Sequence, residues 1–164
     1  GLINTDARVR EQKPVTPAYL FAVLLWGPVR KRVEVLQHEM RLTDALRAAG
    51  DEVNRETLKR VTLPRRFSLP MREIWQLQAR LEMRRGKRAW QLLENRRFRA
   101  AYDFLLLREQ AGEPIGELCR WWTEFQVEDE AGQQRMVDEL PPGRKKKKKI
   151  RGKKRTIQPL LRKA

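Results

Sequence analysis

Residues 74–108 read IWQLQARLEMRRGKRAWQLLENRRFRAAYDFLLLR, and two patterns are interleaved in them. Apolar residues recur every three or four positions, the spacing that lines up side chains on one face of an α-helix. Arg and Lys fill the positions between. From Lys59 to Arg99 there are 13 basic residues, 11 of them Arg, against 3 acidic ones (Glu73, Glu82 and Glu94). Positive charge at that density repels itself unless a polyanion neutralises it. A guanidinium pairs with phosphate through two parallel hydrogen bonds and stacks on bases, so the preference for Arg over Lys points to RNA. The competing reading is a solvated surface laced with ion pairs. Three carboxylates neutralise only a few of the 13 cations, and binding is favoured.

Working outward from that block, the periodicity predicts an all-α fold: a single bundle of about six or seven helices followed by a disordered basic tail. Thr16-Pro17 is a helix start, Thr as cap and Pro in the first turn. The helix AYLFAVLLW is expected to stop at Gly27-Pro28, where Pro28 opens a second with Val29, Val33, Leu36 and Met40 inward. Thr43 is read as the cap of a third helix carrying Leu46, Ala49 and Val53, with a break possible at Gly50. Leu63-Pro64-Arg65-Arg66 interrupts the pattern, and Ser68 is expected to begin a fourth helix with Pro70 in its first turn. On its wheel Met71, Ile74, Trp75, Leu77 and Leu81 share one arc, while Arg72, Arg80 and Arg84 project elsewhere. A short helix with Ala89, Trp90 and Leu93 follows Gly86, and a longer one with Phe98, Ala101, Tyr102 and Leu105 follows Asn95. Pro114 is expected to open the last, in which Leu118, Trp121, Trp122 and Phe125 close the bundle.

Composition changes after the body, which spans residues 1–126. Residues 127–142 are an acidic, Pro/Gly-containing linker, and residues 143–164 form a Lys/Arg-rich tail. Apolar residues are too sparse from Val127 onward to offset chain ordering, so an unstructured segment is expected there. Charge is segregated to match. Residues 1–58 carry 9 basic and 8 acidic groups, residues 100–142 carry 3 and 10, and the tail has 12 basic groups and no acidic one, for a total of +16. A lysine run binds nucleic acid by counterion release, without sequence preference. A nuclear-import signal, an anionic-membrane contact and a solubilising extension compete for the same tail.

Other chemistry is thinly represented. Cys119 is the only cysteine and His38 the only histidine, so neither a disulfide within the chain nor a Cys/His zinc cluster is available. Cys119 is expected to be packed and His38 to have a surface or core role. The apolar run Ala18–Trp26 is nine residues long, against about 20 for a transmembrane helix. Trp75, Trp90, Trp121 and Trp122 sit at helical spacing, which marks core residues more often than base-stacking platforms. Glu128-Asp129-Glu130 has no strand to fix a metal geometry, and Arg85-Gly86-Lys87-Arg88 lacks the rest of a P-loop. The chain starts at Gly1 in mid-pattern, as a piece of a longer protein is expected to.

These blocks resemble a known family. Asn4-Thr5-Asp6 with Arg8, TPAYLFAVLLW (16–26), IWQLQARLEMRRGKRAWQLLE (74–94), FRAAYDFLLLR (98–108) and WWTEFQ (121–126) are similar to the C-terminal region of bacterial poly(A) polymerase I, a polynucleotide adenylyltransferase with an arginine-rich C-terminal domain. The similarity runs in order over residues 1–126, firmly from Leu63 onward and loosely over residues 28–60. The tail, mostly Lys here, matches that family's basic extension in composition alone. CCA-adding tRNA nucleotidyltransferases share a head and neck with the family but lack the Arg-rich block and tail.

The resemblance implies an enzyme that adds AMP from ATP to RNA 3′ ends, with Mg²⁺ held by paired carboxylates. Those groups belong to a strand-bearing head domain, whose Gly-Ser element and Asp pair this chain does not contain. It therefore implies an RNA-binding part with no catalytic residue and no metal site of its own. The residues expected to meet RNA are Arg65, Arg66, Arg72, Arg80, Arg84, Arg85, Lys87, Arg88, Arg96, Arg97 and Arg99 in the body. In the tail they are Arg144, Lys145, Lys146, Lys147, Lys148, Lys149, Arg151, Lys153, Lys154 and Arg155. Further implied are a bacterial cytoplasmic location, contact with the head and neck of the same polypeptide, and RNA-decay proteins docking on the tail. A free-standing basic adaptor or RNA chaperone explains the charges equally well, but not the ordered blocks. A fragment of a CCA-adding enzyme is the third alternative.

Overall fold

The structure, a computed structural model, describes residues 16–141. The residues before and after them, including every cation of the tail, lie outside that description. Within it there are eight helices and no strand: α1 (Pro17–Leu24), α2 (Trp26–Leu36), α3 (Leu42–Leu58), α4 (Arg65–Glu82), α5 (Arg88–Leu93), α6 (Phe98–Gln110), α7 (Leu118–Phe125) and α8 (Glu130–Asp138). The fold is all-α, as the 3.6-residue period predicts.

Helix α4 is the axis of the molecule. It packs against α1, α3 and α6. Met71, Ile74, Trp75, Leu77 and Leu81 are all buried, the arc expected from the wheel. Two apolar clusters form around it. One gathers Trp75 with Tyr19, Val29, Leu46 and Phe104, drawing on α1, α2, α3 and α6. The other gathers Leu81 with Leu92, Phe98, Trp122 and Phe125, drawing on α5, α6 and α7. Each is centred on a tryptophan whose indole N–H also has a partner, as a buried polar group needs. Trp75 donates to the Ala22 carbonyl at 3.0 Å, and Trp122 donates to the Leu81 carbonyl at 3.1 Å. Between the clusters the buried Gln78 amide donates to the Ala101 carbonyl at 3.1 Å, fixing α4 against α6.

Several boundaries differ from the sequence expectation, and packing accounts for the course of α3 through Gly50 and for the start of α4. Gly27-Pro28 does not separate two helices. The chain breaks at Leu25 alone, and Pro28 lies in the first turn of α2, where its missing N–H costs nothing. Helix α3 starts at Leu42, not after Thr43, and runs through Gly50 without interruption. The Trp75 ring explains that glycine: its edge lies 3.1 Å from where a Cβ would stand, so the small residue admits the indole. Helix α4 begins at Arg65, a turn before Ser68, with Pro70 inside it. Leu63 and Ser68 are buried and Phe67 packs on the first cluster, so apolar contact rather than the proline sets the start. Helix α7 begins at Leu118 and not at Pro114.

The largest difference is α8, which lies where an unstructured linker is expected. Asp129, in the acidic run, caps it by accepting the Gly132 N–H at 2.7 Å. Val137 joins the second cluster. Met136 packs against the same cluster, and Gln133 adds to the anchorage, accepting the Trp90 indole N–H at 2.7 Å and donating to the Phe125 carbonyl at 2.9 Å. A count of apolar residues misses a helix held down in part by one polar side chain.

Candidate nucleic-acid interface

The cations of the body come in two electrostatic states. Four of the expected RNA-binding arginines are held by carboxylates. Arg72, on α4, pairs with Asp51 of α3. Arg96 and Arg97, in the turn before α6, both reach Glu73 of α4, at 3.1 Å and 2.8 Å. Arg99 pairs one helical turn along with Asp103 at 3.2 Å and lies over the Tyr102 ring. Partial burial by itself would raise the Glu73 carboxyl, but hydrogen bonds from Arg97 and Arg96 outweigh it and leave its pKa below the ordinary value. Arg72, Arg96 and Arg97 tie separate elements together, while Arg99 pairs within α6, and the four guanidinium groups share three carboxylates.

The second group has no carboxylate within ion-pair range among the described residues. It comprises Arg80 on the last turn of α4, then Arg85, Lys87 and Arg88 in and just after the loop to α5, with Arg65 at the start of α4. Arg80, Lys87, Arg88 and Arg65 are exposed and Arg85 is half-buried. Arg66 has no carboxylate either and rests over the Phe67 ring, 4.9 Å from its centre. Gly86 lets the loop carry four cations in five residues, because its φ of +54° is a conformation that costs a side-chain-bearing residue about 1 kcal/mol or more.

Arg84 stands between these states. Its guanidinium lies over the Trp121 ring, 5.0 Å from the centre, in cation–π contact. Desolvation lowers its pKa from the usual value, and the charge of Glu117 only partly counters this. Its Nε is buried with no hydrogen-bond acceptor. Trp121 in turn stacks on Phe125, with ring centres 4.6 Å apart and planes 14° from parallel. Of the four tryptophans flagged at helical spacing, Trp75 and Trp122 are fully buried, while Trp90 and Trp121 are half-buried.

Arg108 is a cation the charge pattern does not single out. It donates to Glu113 at 2.9 Å and to Gln78 at 3.0 Å, and it lies over the Trp26 ring. The Trp26 indole donates to the same Glu113 carboxylate at 2.6 Å. This knot joins α2, α4, α6 and the loop after α6. Its only trace in the sequence is that Glu113 follows Arg108 by five residues, a spacing too common to be diagnostic.

No described cluster of His, Cys, Asp and Glu has the composition to hold a metal ion. His38 is exposed. Cys119 is buried, its thiol 3.7 Å from the Leu105 carbonyl, and burial together with nearby Glu109 pushes its pKa up to about 12. No helix among the described residues is long and apolar enough to cross a membrane.

The arrangement defines a helical module built on one central helix, with unpaired cations concentrated where that helix ends. The chain matches the family described as the arginine-rich C-terminus of polymerase A over residues 38–156, and it belongs to that family. It is 40% identical over 157 residues to poly(A) polymerase I of Escherichia coli O6:H1, covering 92% of this chain and 34% of that protein. It is 40% identical over 143 residues to poly(A) polymerase I of Salmonella typhi, covering 85% of this chain and 31% of the relative. The Haemophilus influenzae poly(A) polymerase I is 37% identical over 154 residues, covering 90% and 34%. The chain thus spans about a third of the length of these bacterial relatives.

Proposed function

We propose that this chain is the RNA-holding C-terminal part of a bacterial poly(A) polymerase, an enzyme that extends RNA 3′ ends with AMP taken from ATP. The observation that carries the reading is the set of unpaired cations at the end of α4, on a chain belonging to the polymerase family. Five cations in nine residues, Arg80, Arg84, Arg85, Lys87 and Arg88, have no carboxylate partner among the described residues. Charge left unneutralised in a folded protein favours a polyanion, and releases counterions when one binds.

In this reading the division of labour is physical. Phosphoryl transfer needs Mg²⁺, ATP and paired carboxylates, which the family resemblance places in a head domain, and no group of His, Cys, Asp and Glu among the described residues could hold a metal ion. Its cations hold the strand upstream of the reacting end. Single-stranded RNA gains stacking on aromatic or guanidinium planes in addition to charge neutralisation. The Lys-rich tail adds a sequence-independent grip and is the segment suited to docking RNA-decay proteins. The protein works in the bacterial cytoplasm, where its RNA substrates are.

Binding of single-stranded oligoribonucleotides at physiological salt tests the reading. The double substitution Arg84→Ala with Arg85→Ala is expected to weaken binding about tenfold across all sequences, the loss of two cationic contacts. Unchanged affinity contradicts the proposal. Incorporation of AMP in repeated rounds by the whole polypeptide, rather than completion of tRNA ends alone, separates it from a CCA-adding enzyme.

A further inference from the structure

A cleft of about 250 Å³ opens beside the end of α4, lined by Arg84 and Arg85 together with Ile115, Leu118, Leu140 and Pro141. Its lining is mixed: two guanidinium groups without carboxylate partners among the described residues share it with these four aliphatic side chains. Arg84 rests over Trp121, its guanidinium carbon 5.0 Å from the ring centre. A planar guanidinium is itself a stacking surface for another flat group. Arg84 also brings a buried N–H with no acceptor, a donor that lacks the partner such groups normally have.

We infer that this cleft is a subsite for one nucleotide of a single-stranded RNA, its base stacked on the Arg84 plane among the aliphatic side chains and its phosphate against Arg85. The inference rests on the RNA-binding reading and adds a specific seat to it. A phosphate alone does not account for the aliphatic side chains, and an apolar side chain does not account for two unpartnered guanidinium groups. A nucleotide uses both. A strand fits better than a free nucleotide, because Lys87 and Arg88 continue the cationic run past the loop and are also unpaired. Pro141, in the cleft wall, is three residues from Arg144 in the sequence.

Two groups in the cleft oppose or ignore the ligand. Glu82 lines it, and burial raises that carboxyl's pKa, offset by Arg108 and Arg84. Its charge works against phosphate. Arg108 also lines the cleft but is committed to Glu113 and Gln78.

The test compares two labelled RNAs, an A12 oligomer and a 12-mer of the same backbone without bases, bound to the full chain and followed by fluorescence anisotropy. Arg84→Lys keeps the charge but removes the plane. It is expected to lower affinity for A12 by about tenfold, the low-to-middle range for one lost base stack, and to leave the abasic strand unchanged. Arg85→Gln is expected to weaken both RNAs alike, and Glu82→Gln to strengthen both. Helical circular dichroism confirms that each variant is folded. Equal binding of A12 by wild type and Arg84→Lys overturns the subsite, as does an equal loss on both RNAs. Failure of the unaltered chain to bind either RNA overturns the underlying RNA-binding reading. Tight binding of ATP alone, competing with A12 and lost in Arg84→Lys, overturns the strand assignment in favour of a free-nucleotide site.

Discussion

The end of α4 and the start of α6 have almost the same composition and opposite electrostatics. Arg84-Arg85-Gly86-Lys87-Arg88 and Arg96-Arg97-Phe98-Arg99 are both short runs of cations beside a helix terminus. In the second, each arginine meets a carboxylate, Glu73 for two of them and Asp103 for the third. In the first, none does among the described residues, and one arginine is instead laid on a tryptophan. What separates them is the neighbour each run finds across the fold. Local charge density therefore says where cations are abundant, and tertiary contact decides which of them remain available to a ligand.

The contrast depends on α4 being held rigidly by both clusters, so the largest expected effect comes from breaking that support. Trp122→Ala removes the ring that packs beneath the end of α4 and the hydrogen bond to Leu81. It is expected to cost about 3–5 kcal/mol, the range for emptying a buried aromatic site. A thermal melt reads the loss, and the free run should lose its organisation with it. A melting temperature near that of wild type would show that the loop holds its shape by other means.

Moving one run into the state of the other is a sharper test. Glu73→Gln takes away the carboxylate shared by Arg96 and Arg97, and so converts paired cations into free ones. RNA affinity is expected to rise several-fold, because two more charges become available for counterion release. Stability is expected to fall by no more than about 1 kcal/mol, since Glu73 and Arg96 are largely solvated. If RNA affinity does not move, pairing is not what distinguishes the runs.

The same carboxylate makes the contrast depend on pH. Its folded-state pKa lies below the ordinary glutamate value, so ionised Glu73 stabilises the fold above that ordinary value. The contribution is lost as pH falls through the depressed folded-state pKa. The stability difference between wild type and Glu73→Gln is therefore expected to be full near neutrality and to vanish in acid, once the pH is below the depressed folded-state pKa. A difference that grows on acidification would reverse the sign of the coupling.

The smallest effect is a control. Cys119, with its thiol pushed up to about 12 by burial, is expected to resist alkylation at pH 8 in every folded variant and to react once the chain is denatured. Rapid alkylation of a native variant would mark its second cluster as open.

Much of the fold was legible because α4 obeys the helical period: Met71, Ile74, Trp75, Leu77 and Leu81 all face inward as their spacing demands. Helix α8 was not legible, since part of its anchorage is Gln133, a polar residue whose partner Trp90 lies 43 residues away in sequence. The start of α4 was misplaced because Pro70 resembles a first-turn proline, whereas burial of Leu63 and Phe67 extends the helix backwards. For the interface, the sequence marks every cation but only one of these pairings, Arg99 with Asp103 four residues on. Asp51 lies 21 residues from Arg72 and Glu73 lies 24 from Arg97, so nothing local reveals that these arginines are spoken for. Trp121 was indistinguishable from Trp122 by spacing, and only packing shows that one is sealed while the other supports Arg84.

The central claim is that the cations at the end of α4 are the ones an RNA strand meets. Its most direct test is the salt dependence of RNA binding by two quadruple variants of the full chain. One carries Arg80, Arg85, Lys87 and Arg88 changed to Gln, the other Arg72, Arg96, Arg97 and Arg99 changed to Gln. The slope of log affinity against log salt concentration is predicted to become shallower by about 3 in the first, roughly 0.7 per lost single-strand contact, and to change little in the second. Equal changes in the two slopes, or a larger change in the second, would contradict the account.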